Sequence, residues 1–181
     1  MTEAGGLIVA AIIAGAVAFF SLIISKEQSV SEFRQHWIDA LRKDIAIIVG
    51  CVIGIHGESI AGHNDQALWN RVKSDFTRFN RVIVRIKLRL NPNEKREEEK
   101  QPTKAVLDAL KELESIFASP QPQFHRLQPL VEILVTNSQV ILKENWDRVR
   151  SGEPIYRGTK WVGLAVAIGG VVYGLYKVIC H

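Results

Sequence analysis

Apolar positions along this chain follow two different rules. At each end stands an apolar run without periodicity, AGGLIVAAIIAGAVAFFSLII at 4–24 and WVGLAVAIGGVVYGLYKVI at 161–179, the second interrupted only by Lys177. Each has roughly the twenty residues that a helix needs to cross a bilayer. The pattern therefore predicts transmembrane helices over 4–25 and 161–179. Between them, over 26–160, apolar residues recur at steps of three and four, the spacing of amphipathic helices.

The first amphipathic stretch covers 29–49. Phe33, Trp37, Leu41, Ile45, Ile48 and Val52 share one face, with Glu32, Arg34, Asp39, Arg42 and Lys43 on the rest and Ser31 as N-cap. A helix that begins in lipid and lays this stripe against a bundle could couple the two. Gly50, Gly54, Gly57 and Gly62 predict a break into a glycine-rich interhelical loop. Asn64 or Asp65 then caps a long second helix that ends at Asn91-Pro92, because proline restricts the residue before it. Leu68, Val72, Phe76, Phe79, Ile83, Ile86 and Leu90 give that helix the alternation of a bundle seam. Its segment VIVRIK also reads as a strand, but the spacing on both sides favours helix.

The charged segment NPNEKREEEKQP predicts a solvent-exposed loop. Pro102-Thr103 opens a third helix with Val106, Leu110, Leu113 and Phe117 on its inner face, and SPQPQ breaks it. The last helix starts near Phe124 or Pro129, with Leu130, Leu134, Ile141 and Trp146 as core. The predicted fold class is all-α: two transmembrane helices flanking a cytoplasmic antiparallel helical bundle.

Charge sets the predicted orientation. All but one of the 23 Lys and Arg residues fall between the two runs, and Lys26, Arg34, Arg148, Arg150, Arg157 and Lys160 lie close to their inner ends. The positive-inside rule then puts the bundle in the cytoplasm and both termini in the periplasm of an inner membrane. Trp161, Tyr156, Tyr173 and Tyr176 suit interfacial anchoring. The leader MTEAGG has no basic residue, so the first run lacks a signal peptide's n-region. Cys51 and Cys180 belong to no C-x-x-C motif, and this topology separates them.

The segment HGESIAGH, His56 to His63, contains the letters of a nucleophile elbow around Ser59. An elbow needs a strand–turn–helix context, which a helical chain does not offer. His56 and His63 lack the partners of a metal site, so neither an enzyme nor a cofactor is predicted. Arg71, Arg78, Arg81, Arg85 and Arg89 line up along the second helix, with Lys73 and Lys87 beside them. They read as an anion-binding face for phosphates, or as a solvated flank paired with Asp39, Asp44, Glu132 or Glu144. Arg78, Arg81, Arg85 and Arg89 are the candidate ligand-binding residues.

Small residues recur one turn apart in both runs: Ala11 and Gly15, Ala14 and Ala18, Gly163 and Ala167, Gly170 and Gly174. Such faces let helices approach closely, which predicts a homo-oligomer. Ala14, Gly15, Phe19, Gly163 and Gly170 are the candidate pore or helix-packing residues. No charge lies in the middle of either run, so ion-coupled transport has no machinery there, and a pore would need several chains.

The motif Ser31-Glu32-Phe33-Arg34-Gln35-x-Trp37-Ile38-x-x-Leu41-Arg42-x-Asp44-Ile45 resembles an uncharacterised family of small bacterial two-span membrane proteins. Leu88-Arg89-Leu90-Asn91-Pro92-Asn93-Glu94 and Ile141-Leu142-Lys143-Glu144-x-Trp146-x-Arg148-Val149 extend the resemblance, with Asn145 where the pattern has an acid. The architecture is also similar to antiphage channel effectors of the Hailong type. That resemblance implies an oligomeric ion channel gated by a phosphate-bearing nucleotide or oligonucleotide, with a partner enzyme making the signal. The alternative is a membrane-anchored helical scaffold that docks a protein partner and does not conduct.

Overall fold

The computed structural model describes residues 3–61, 65–119, 122–151, 158, 161–165, 168–170, 172 and 176. Over residues 3–151 the helices are α1 (Glu3–Ile60), α2 (Asp65–Arg89), α3 (Glu97–Ala118) and α4 (Leu127–Ser151), with a 3-10 turn at Phe124–Arg126 before α4. Contacts divide the chain into two units, an end unit of Met1–Gln35 with Arg148–His181 and a bundle unit of His36–Asp147.

The expectation of two membrane-spanning helices, and with it an inner-membrane location with periplasmic termini, is overturned. Among the described residues no helix is long and apolar enough to cross a membrane. The described side chains of the first apolar run begin at Ala11. The same helix then continues into Lys26, Glu27, Glu32 and Arg34. The second run is described only in pieces, none longer than residues 161–165, and Tyr156, Tyr173, Lys177 and Cys180 lie outside the described residues.

The bundle unit is built from the seams that the spacing predicts. Leu41, Ile45, Ile48 and Val52 of α1 are buried with Val72, Phe79, Ile83, Ile86 and Leu90 of the second-helix seam. Val106, Leu110 and Leu113 of α3 and Leu130, Leu134 and Ile141 of α4 complete the core. Phe79, fully buried, meets Phe117 edge-on at 4.8 Å between ring centroids and 79° between planes, a favoured aromatic geometry.

Pairings between helices fix their directions. Asp44 bonds Arg85 and Arg89, whereas Glu58 meets Arg71, so α1 and α2 run antiparallel. Phe117 meets Phe76 and Phe79 edge-on while Lys87 reaches Glu114, and Asn145 meets Glu99 while Arg126 meets Glu112. Each next pair is therefore antiparallel as well.

Four local expectations are corrected. Gly50, Gly54 and Gly57 lie inside α1 rather than in a loop, because Cys51, Val52 and Ile55 carry the buried stripe through them. Gly54 also admits α2 closely: an added Cβ would stand 3.2 Å from an Asp75 carboxylate oxygen. The stripe of α1 enters the core at Ile38 and Leu41, and Phe33 is 75% exposed. Helix α3 starts at Glu97, ahead of Pro102, so EEEK forms its first turn instead of a loop and Glu99 is buried. On α4, Trp146 is 49% exposed and Asn145 takes the inward position.

Candidate functional site

The arginine row of α2 divides along its length. Arg78 and Arg81 are exposed and carry no ion pair among the described residues. Arg85 and Arg89, one turn apart, converge instead on Asp44, whose side chain is 4% exposed. Arg85 donates to one carboxylate oxygen at 2.6 Å and Arg89 donates to the other. Both lone-pair sets of a buried anion are thereby engaged by cations of the facing helix, the condition under which a carboxylate is tolerated away from water. Two of the four candidate ligand residues thus hold α1 to α2.

A basic cleft does exist, built from residues that the sequence pattern did not bring together. It has a volume of about 550 Å³ and opens between the end of α2, the loop after it and the start of α3. Lys100, Lys104 and Lys111 line it from α3 at steps of four and seven, which stacks them on one helical face. Lys87 of α2 closes the ring, and the acidic lining residues are Glu94 and Asp108. The sequence marked Lys87 as part of the α2 charge but gave no reason to join it to α3. The signal that could have found the site is the Lys spacing of α3 on the face that also presents Leu107.

The cleft lysines are lightly committed. Lys104 pairs with Asp108 at 2.6 Å with both side chains more than half exposed, and Lys100 reaches Glu97 at 3.4 Å. Exposed pairs of this kind contribute about 0–1 kcal/mol, so an arriving anion can replace the acids. Lys87 pairs with Glu114 at 2.5 Å, and Lys111 makes no ion pair among the described residues. Glu94 is held differently: Arg96 bonds it with its side chain and backbone, which lowers its pKa to about 2.

A second buried carboxyl lies in the first turn of α3. Glu99 is 2% exposed, and burial pushes its pKa up against the opposing effects of Arg96 and the Asn145 hydrogen bond. The Asn145 amide donates to Glu99 at 3.1 Å and to the Ile141 carbonyl at 2.9 Å, which uses both its N–H groups. An acid at position 145 would set a second carboxylate against Glu99, so asparagine is the residue this packing accepts.

The remaining candidates are placed as follows. Ser59 lies in α1 and donates its hydroxyl to the His56 carbonyl at 2.6 Å, and Gly57 is helical, so the elbow geometry is absent there. Cys51 is buried, and burial with Asp75 nearby raises its pKa, which disfavours the thiolate. Among the described residues no group of His, Cys, Asp and Glu could hold a metal, and His63 lies outside them. Ala14, Gly15 and Phe19 are exposed on α1, and Gly170 is exposed with open space where a Cβ would be. Gly163 is buried, and a Cβ there would collide with the ring of Phe20. Gly174 and Ala167 lie outside the described residues. Comparison with known proteins gives no counterpart: no family model, no curated protein and no solved structure matches the chain.

The Asp44 cluster predicts an asymmetric response to mutation. Replacing both cations, Arg85→Gln with Arg89→Gln, strands a buried carboxylate and should cost about 3–5 kcal/mol in urea unfolding. Asp44→Asn should cost less, about 1–2 kcal/mol, because Arg85 and Arg89 are 43% and 28% exposed and can turn to water. A larger loss for Asp44→Asn would contradict the assignment.

Glu94 predicts a pH dependence. Its folded pKa of about 2 lies below the ordinary 4.5, so its contribution is present above 4.5 and is lost as pH falls toward 2. In melting temperatures measured across that window, Glu94→Gln should give a flatter curve than the unmodified chain. Parallel curves would show that the Arg96 contacts do not stabilise the fold.

Proposed function

We propose that this chain is a helical receptor for a phosphate-bearing ligand, acting by binding rather than by catalysis, with the basic cleft of α2 and α3 as its site. The observation that carries this reading is the ring of Lys87, Lys100, Lys104 and Lys111 around a cleft of about 550 Å³, a size suited to a small ligand. Lysine binds phosphate as a mobile point charge, and four of them against two acids favour an anion. A nucleotide or short oligonucleotide made by a partner enzyme fits this chemistry. The channel reading required two spans, so only its signal-receiving half is kept.

A second reading, a scaffold that docks a protein partner, is favoured by the outer face of α2. Val84 and Leu88 are 54% and 82% exposed there, and Arg81 lies one turn before them. Exposed apolar residues beside an uncommitted arginine are the composition of a protein interface.

Calorimetric titration of the full chain with pyrophosphate, ATP and a short oligonucleotide tests the receptor reading, with anionic vesicles as a separate arm. Saturable binding to the free phosphates is expected, weaker at high salt. Lys104→Glu with Lys111→Glu should reduce it at least tenfold, and Arg81→Glu should leave it within about twofold. Binding to vesicles alone would make a lipid headgroup the ligand. Loss in Arg81→Glu with no loss in the lysine variant would return the site to the arginine row.

A further inference from the structure

Two helices of the bundle unit carry exposed stripes on their outer faces, and the stripes match each other. On α2, Thr77, Arg81, Val84 and Leu88 follow one another at steps of four, three and four, with Lys73 one turn before them. On α4, Ile133, Asn137, Val140 and Glu144 repeat the same steps, with Asp147 one turn after them. Such steps hold each set on one helical face, away from the buried seam of its own helix. Each four-residue set runs for about 16 Å. Val84 and Leu88 are 54% and 82% exposed, and Ile133 and Val140 are 42% and 38% exposed.

The charges on the two stripes are opposite. Lys73 and Arg81 carry no ion pair among the described residues, and the α2 stripe holds no acid. The one acid inside that helix, Asp75, lies against Gly54 of α1 instead. Glu144 and Asp147 likewise carry no ion pair among the described residues, and the α4 stripe holds no base, although Lys143 stands beside it. In chain order the α2 stripe is basic first and apolar last, and the α4 stripe is apolar first and acidic last. An antiparallel pairing therefore sets Leu88 against Ile133, places Arg81 and Thr77 beside Val140 and Glu144, and brings Lys73 to Asp147. A parallel pairing would press Glu144 against Leu88 and desolvate an unpaired carboxylate.

We propose that the α2 stripe of one copy docks antiparallel on the α4 stripe of a second copy, with Lys73 and Arg81 facing Asp147 and Glu144. The chain itself supplies the complementary face, equal in length and step and opposite in charge. Complementarity of this kind fixes partner and orientation more than affinity. The contact joins two different patches, so the assembly extends copy by copy unless its rotation closes a ring. The inference rests on the scaffold reading of the α2 face and does not involve the cleft lysines of α3.

Sedimentation equilibrium of the full chain across concentration and salt tests it. The unmodified chain should associate, more weakly at high salt. Lys73→Glu with Arg81→Glu should weaken association at least about tenfold, and so should Glu144→Lys with Asp147→Lys. Mixing the two double variants should restore it, because each then meets the opposite charge on the other. Circular dichroism checks that each variant keeps its helix content. Leu88→Ser and Ile133→Ser, each expected to weaken association, decide the matter if a charge variant does not fold. A chain monomeric at every concentration, an association indifferent to either charge reversal, or a mixture that stays apart would overturn the proposal. Loss in Leu88→Ser without loss in the α4 variants would also overturn it, and would leave the α2 face to a different protein.

Discussion

The bundle unit depends on one buried ion cluster. Asp44 lies in the apolar stripe of α1, between Leu41 and Ile45, where an uncompensated carboxylate would oppose folding. Arg85 and Arg89 compensate it from the facing helix, and only one antiparallel register brings both to the same carboxylate. The apolar seam supplies the driving force for packing, but its leucines and isoleucines could slide by a turn at modest cost. The charge cluster cannot slide, because a shift would strand Asp44. It thereby fixes the register in which α1 and α2 pack.

A similar division of labour occurs between α3 and α4. Leu110, Leu113, Leu134 and Ile141 bury apolar area without specifying register. Glu99 and Asn145 meet at a single point, with Arg96 at 2.9 Å from the Glu99 carboxyl. Burial raises the pKa of Glu99, so this group favours its neutral form more than an exposed glutamate does. Ionising it therefore opposes folding, opposite in sign to Glu94 a few residues away. Glu94 sits in the loop that lines one wall of the cleft, and Glu99 in the first turn of the helix that follows.

Much of the helical framework was legible because core-facing positions repeat at three and four. The seam from Val72 to Leu90 and the inner face of α3 follow from spacing alone. The glycines of α1 were misleading: composition there says loop, yet Cys51, Val52 and Ile55 keep the period, and tertiary packing overrides propensity. Trp146 was misread because hydrophobicity suggested core, whereas the inward position next to it holds an asparagine that satisfies Glu99. The apolar ends show the limit of composition, since an uncharged run predicted a bilayer span and the described helices do not supply one. The proposed anion site was legible in chemistry but not in place. The arginines are conspicuous in one dimension, while the lysine ring requires knowing that α2 and α3 meet beside Pro92.

The central claim is that the conspicuous arginines fix the fold and the lysine cleft receives the anion. Backbone amide spectra of the isotopically labelled full chain, titrated with pyrophosphate, separate the two most directly. The account predicts shifts concentrated at residues 87–94 and 100–111, with Asp44, Arg85 and the α1 face opposite them unmoved. Shifts centred on Asp44, Arg85 and Arg89, with the α3 lysines silent, would contradict it.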